Sequence, residues 1–111
     1  MVNSMSSLFR YEYNSNPLAA VPVTVDTTAG GTVIAKRNKD RLSITLQNVG
    51  VIPCLLRLGG DPSATAYNII LAADSAAKAG EGGNVTIRDY TGEIKGITES
   101  SSTVIAVMEV Y

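Results

Sequence analysis

The stretch RLSITLQNVGVIPCLLRLGG, residues 41–60, decides the fold. In its first half, every second residue from Leu42 to Leu46 is apolar: Leu42, Ile44 and Leu46. They alternate with polar side chains, and a period of two is typical of a strand that buries one face. Asn48 and Gly50 predict the turn that ends this strand. The second half alternates again after Pro53, which lacks the backbone N–H of an inner position and therefore predicts a strand start or a sheet edge.

The same alternation continues outward in both directions. The further runs read VPVTV, GTVIAK, YNIILAA, NVTIRDY, EIKGIT and STVIAVMEV. About eight short strands with glycine-containing turns between most of them predict an all-β protein, either a sandwich or a small barrel. The first two runs flank Ala29-Gly30-Gly31 and predict a hairpin. Residues 73–80 are too few for a stable helix and are predicted to form a loop with at most one helical turn.

Several of the predicted strands are apolar on both faces. The row assigned to the core in the last strand is Val104, Ala106, Met108 and Val110. The apolar residues left on outer faces are Leu55, Ile70, Ile105, Val107 and Tyr111. Outward positions of an isolated sheet are normally polar, so either strand twist tucks these residues under loops or another subunit covers them. The second explanation gives four candidate partner-binding residues: Leu55, Ile105, Val107 and Tyr111.

The N-terminal segment SSLFRYEYNSNP, residues 6–17, holds half of the aromatic residues of the chain. It is either the first strand of the core or an arm that adds to the sheet edge of a partner, where its aromatic side chains would fill pockets. The arm divides the chain into an N-terminal arm, residues 1–20, and a β-sandwich domain, residues 21–111. Its candidate partner-binding residues are Leu8, Phe9, Arg10, Tyr11 and Tyr13.

Composition limits the functions open to this chain. Its 111 residues suffice for one domain, and only 17% of them are charged, against about 25% in an average soluble domain. The net charge is −1, and the single basic run, residues 36–41, is predicted to be a solvated turn rather than a nucleic-acid site. No stretch has the apolar length of a membrane span or the pattern of a secretory signal, so synthesis in the cytoplasm is expected.

The residues that usually carry chemistry are scarce. The chain has no histidine and a single cysteine, Cys54, which argues against histidine-based catalysis and thiolate zinc sites. The carboxylates show no paired spacing, and Asp61 and Asp74 lack the spacing of a calcium-binding loop. We therefore expect no enzyme activity, no cofactor, no metal and no small-molecule substrate, and we expect Cys54 to pack as a small apolar residue.

Five segments resemble small virion proteins of tailed bacteriophages. They read RLSITLQNVGVIPCLLRLGG, YNIILAA, GEGGNV, DYTGEIKGIT and STVIAVMEV, and they cover roughly residues 41–110. The resemblance is one of pattern and turn placement, and it implies a small β-sandwich of jelly-roll type displayed on heads or tails. The family has no fixed contact motif that can be placed on this sequence, so the resemblance adds no binding residue.

For a small single-domain protein, the resemblance implies a capsid decoration, or cement, protein. Such a protein would bind the outer surface of the phage head, as a homo-trimer, and stabilise the shell by bridging subunits of the major capsid protein. Its location would be the virion, and nucleic acid and membranes would not be partners. The alternative is a tail, baseplate or fibre surface module that binds a host glycan or another virion protein.

Overall fold

The computed structural model describes residues 20–74 and 80–111, which form eight β-strands and no helix. The strands are β1 (Val21–Val25), β2 (Thr32–Ala35), β3 (Ser43–Asn48), β4 (Cys54–Leu58), β5 (Ile69–Leu71), β6 (Asn84–Arg88), β7 (Ile94–Ile97) and β8 (Thr103–Val110). The predictions of an all-β protein and of eight short strands are confirmed. Among these residues, no helix has the length and apolar character needed to cross a membrane.

The strands form two four-stranded antiparallel sheets. The first sheet has the order β1-β8-β3-β6, and the second has the order β2-β7-β4-β5. The hairpin predicted for β1 and β2 is wrong, because β1 pairs with β8 and β2 pairs with β7. Gly30 and Gly31, with φ values of 89° and 82°, make a turn that crosses between the sheets. A glycine turn is compatible with either connection, so the local sequence did not decide the pairing.

One apolar core lies between the two sheets. Its buried residues are Val25, Ile34, Ala35, Ile44, Leu46, Cys54, Leu56, Leu71, Ile94, Ile105 and Val107. The alternation predicted for β3 is confirmed at Ile44 and Leu46, which are both fully buried. Val85 and Ile87 of β6 pack against this core as predicted, and both are half-buried.

The two faces of β8 are the reverse of those expected. Ile105 and Val107 are 0% and 7% exposed and lie in the core, whereas Met108 and Val110 are 44% and 48% exposed. Alternation alone could not choose between two apolar rows. The row that contains Ile105 and Val107 faces inward because its polar members have buried partners. Thr103 Oγ1 donates to Asn48 Oδ1, and the Glu109 carboxylate accepts from Arg41 Nε.

The start of β3 also departs from the prediction. Leu42 is 63% exposed and Arg41 only 2% exposed, the opposite of what the alternation implies. The cause is that the strand begins at Ser43, so the period of two does not extend to the two residues before it. The basic run is therefore solvated at Lys36, Arg37 and Lys39 but not at Arg41.

Candidate contact surface

A cleft of about 170 Å³ opens at one side of the molecule, where β1 and β2 are the edge strands of their sheets. Its lining residues are Val21, Val23, Ile34, Val107, Met108, Glu109 and Tyr111. Most of these side chains are apolar, and Glu109 is the only lining residue with a formal charge. The cleft lies directly beside β1, whose first residue, Val21, is 61% exposed.

The cleft adjoins a step in the first sheet. The ladder between β1 and β8 ends at the pair Val21 and Val107, but β8 continues beside β3 as far as Val110. Within the described residues, positions 108–110 of β8 thus have a strand neighbour on one side only.

The backbone groups of Glu109 face away from β3. Val49 N–H donates to Val104 C=O over 2.9 Å, which fixes the backbone groups of the even-numbered β8 residues toward β3. Backbone groups alternate sides along an antiparallel strand, so those of Glu109 point toward the β1 side.

Exposed apolar side chains lie at the end of β8, and three of them, Val21, Met108 and Tyr111, line the cleft. We define the β8 patch as the set Val21, Leu42, Met108, Val110 and Tyr111, whose exposed fractions lie between 44% and 65%. Leu42 is tied to the strand, because its N–H donates to the Val110 C=O over 2.7 Å. Single exposed apolar residues are ordinary, but three that line an apolar cleft, with two more at the same end of β8, are typical of a contact surface.

A buried arginine holds the one carboxylate of the cleft. Arg41 Nε donates to Glu109 Oε2 over 2.7 Å, and the Arg41 side chain is fully buried. Its other donors reach the backbone oxygens of Lys36, Tyr90 and Gly92 over 2.6–3.2 Å. The Glu109 charge is thus compensated within the molecule, which keeps the cleft suitable for an apolar ligand.

The remaining outer face of the first sheet is nearly uncharged. Its outward residues on β3 and β6 are Ser43, Thr45, Gln47, Asn84, Thr86 and Arg88. Thr45 and Thr86 share a hydrogen bond of 2.9 Å between their hydroxyl oxygens. Arg88 is the single charge of this row, so another surface could cover the face at little cost of charge desolvation.

The outer face of the second sheet differs in charge. Lys95 donates to Asp61 over 2.7 Å and lies 3.9 Å from Glu93. Arg57 is the cross-strand neighbour of Lys95 and donates to the Asp61 C=O over 3.2 Å. This charged and solvated group makes the second sheet the less suitable face for burial.

The predicted site residues divide into four groups. Val107 and Tyr111 line the cleft, whereas Ile105 is fully buried in the core and is corrected from its predicted outer position. Leu55 does lie on the outer face of the second sheet, between its cross-strand neighbours Ile70 and Ile97, but is only 6% exposed. The other candidates, Leu8, Phe9, Arg10, Tyr11 and Tyr13, fall outside the described residues.

Sequence reasoning missed four members of the β8 patch: Val21, Leu42, Met108 and Val110. The last three had been assigned to core rows, since each continued a regular apolar alternation. The sequence signal for this surface was that β8 has apolar residues on both of its faces. A sheet in a two-layer sandwich buries only one face, so one of the two apolar rows had to be exposed.

The aspartates considered for calcium are engaged separately. The nearby Lys95 ammonium lowers the pKa of Asp61 below its usual value, first through their hydrogen bond. The Asp74 carboxylate accepts the backbone N–H groups of Gly80, Glu81 and Gly82 over 3.0–3.1 Å. Across residues 20–74 and 80–111, no group of three or more His, Cys, Asp or Glu side chains is placed to hold a metal ion.

Cys54 is predicted to be unreactive in the folded protein. It is fully buried in the core, and this burial raises the pKa of its thiol to about 11. At pH 8 only roughly one thiol in a thousand would then be ionised, and the thiolate is the nucleophile. Labelling with a chromogenic disulfide reagent should proceed at least about a hundredfold more slowly in buffer than in concentrated urea. Equal rates in the two solvents would contradict the burial of this side chain.

Comparison with known proteins adds no relative. The sequence matches no protein-family model and no curated protein, and the fold matches no solved structure.

Proposed function

We propose that this chain is a structural protein of a tailed-phage virion, a decoration protein that binds the outer surface of the head and bridges subunits of the major capsid protein. The observation that carries the proposal is the β8 patch with its cleft, on a small β-protein whose described residues hold no metal-binding cluster. A surface of this kind is suited to contact with another protein rather than to chemistry.

The topology supports the same proposal. The strand orders β1-β8-β3-β6 and β2-β7-β4-β5 are compatible with a double-sheet jelly roll, because every connection except that between β4 and β5 crosses from one sheet to the other. We propose this form for the sandwich. Jelly rolls are common among viral capsid and lectin domains, so the topology is consistent with a virion protein but does not single one out.

The first sheet is the face proposed to lie against the shell. Its outer surface combines Met108 and Val110 with uncharged hydroxyl and amide side chains, and carries Arg88 as its one charge. A protein that binds the assembled shell, and not the separate subunits, adds its binding free energy to the stability of the shell. Such a role needs contact area and complementarity, and no reactive group.

The proposal is tested on virus particles. Particles purified from lysates of cells that express the gene should contain the chain in a fixed ratio to the major capsid protein, as measured by mass spectrometry. Immunogold labelling should place it on the head. Heads that lack the chain should disrupt at a higher temperature after the purified chain is added. Absence from purified particles would overturn the proposal, and gold on the tail alone would favour a tail or fibre module.

A further inference from the structure

We infer that residues 60–67 form a strap that covers an outward-facing apolar row of the second sheet and opens without unfolding the core. The apolar row consists of Leu55, Ile70 and Ile97, which are cross-strand neighbours on β4, β5 and β7. Opening exposes an apolar surface that the closed molecule hides. The strap is a property of the isolated chain, so it does not depend on the proposed attachment to a phage head.

The path of the strap places it on the outer face of the second sheet. It leaves β4 at Gly59 and joins β5 at Asn68, and backbone hydrogen bonds of 2.9 and 2.7 Å tie these two residues to the sheet. Between them it reaches Gly31, just before β2, where a Cβ would lie only 2.5 Å from Pro62 Cγ. In the order β2-β7-β4-β5, a segment that goes from β4 to the start of β2 and returns to β5 passes over β7 and β4. The core fills the inner face, so the strap crosses the outer one.

The burial of Leu55 agrees with this path. Its side chain points away from the core, because Cys54 and Leu56 on either side of it are both fully buried in the core. Leu55 is nevertheless only 6% exposed, whereas its neighbour Ile70 at the edge of the sheet is 53% exposed. Pro62 is also buried, although it belongs to no strand. An outward-facing leucine reaches such burial only where a further layer lies above it, and the strap is the segment whose path crosses there.

Side chains attach the strap to the sheet. Asp61 Oδ1 accepts from Lys95 Nζ over 2.7 Å, and the Asp61 C=O accepts from Arg57 Nη1 over 3.2 Å. Among the described residues, the backbone-to-backbone hydrogen bonds of the strap join Ser63 to Ala66 within it, over 3.0 and 3.1 Å. The strap therefore has a turn of its own, and it can separate from the sheet without breaking a strand ladder.

The attachment at Asp61 is of a kind that contributes little free energy. The Asp61 side chain is 68% exposed, and ion pairs at such positions are weakened by water and salt. Gly59, with a φ of 77°, and Gly60 form the first joint of the strap, and neither has a side chain to restrict backbone rotation. Segments with few backbone hydrogen bonds to their surroundings open at a lower free energy than the core does.

Thiol labelling under native conditions separates opening of the strap from unfolding of the core. The wild type carries its one thiol at Cys54, in the core, and the double variant Cys54→Ala, Leu55→Cys carries it one residue further along β4, beneath the strap. We expect a neutral maleimide to label position 55 at least about tenfold faster than position 54. The rate at position 55 should be nearly independent of urea well below the unfolding midpoint. The rate at position 54 should rise steeply with urea, because core unfolding exposes much more surface.

A matched pair of charge changes tests the attachment. Asp61→Asn removes the carboxylate that Lys95 holds, and Asp40→Asn makes the same change at a carboxylate 3.7 Å from Lys39. The two aspartate side chains are similarly exposed, at 68% and 73%. In the double variant, Asp61→Asn should raise the labelling rate at position 55 by about threefold, and Asp40→Asn should leave it unchanged.

Three results would overturn the inference. Equal labelling rates at positions 54 and 55, with equal urea dependence, would mean that the strap opens only when the core unfolds. Labelling of position 55 as fast in buffer as in concentrated urea would mean that nothing covers it. Equal effects of the two aspartate changes would mean that Asp61 does not hold the strap. If circular dichroism shows that the Leu55→Cys variant is unfolded, Ile97→Cys replaces it, because Ile97 belongs to the same row.

Discussion

Replacing Asn48 by alanine is expected to lower the free energy of unfolding by about 3–5 kcal/mol, since the loss leaves several buried polar groups without a partner. The side chain is fully buried at the end of β3. Its Nδ2 donates to the carbonyls of Ile52 and Leu71 over 2.8 and 3.2 Å. Its Oδ1 accepts from Gly50 N–H and Thr103 Oγ1 over 3.0 and 2.7 Å. One amide thereby joins strands of both sheets.

Urea denaturation of Asn48→Ala should therefore give a lower midpoint than the wild type. Gln47→Ala is the matched control, because Gln47 is the preceding residue of the same strand and faces outward. Its side chain makes one exposed hydrogen bond, to the Gly80 C=O over 3.1 Å. We expect that control to cost less than about 1 kcal/mol. Equal losses in the two variants would mean that the buried network contributes little to stability.

Asn48 also illustrates what a single sequence can and cannot predict. Read as a turn former, it correctly placed the end of β3. Its contacts lie up to 55 residues away along the chain, at Thr103, and the sequence around Asn48 does not indicate them. The presence of a strand can be predicted from the alternation of apolar and polar residues along a short segment. Which strands pair depends on which distant segments bury the most apolar surface together. For this reason the eight strands were predicted and the partner of β1 was not.

The candidate contact surface was predictable only in part. The two apolar rows of β8 indicated that one of them would be exposed, and Tyr111 was correctly taken as a surface residue. Which of the two β8 rows faces the core depends on Arg41, because Arg41 binds Glu109 of the inward row. The charge of Arg41 had suggested a solvent-exposed position. A guanidinium can be buried when all its donors are satisfied, but those acceptors are mostly backbone oxygens brought together by the fold. The sequence carries no signal for such a site.

Arg41→Met is expected to destabilise the protein by about 3–4 kcal/mol, because it leaves the Glu109 carboxylate and three backbone oxygens without their donor. Arg41→Lys should recover little of this loss, since one ammonium cannot reproduce the planar fork of the guanidinium. Arg37→Ala is the control from the same basic run, because Arg37 is exposed. It should be nearly neutral in urea denaturation. A loss at Arg37 as large as that at Arg41 would contradict the burial of Arg41.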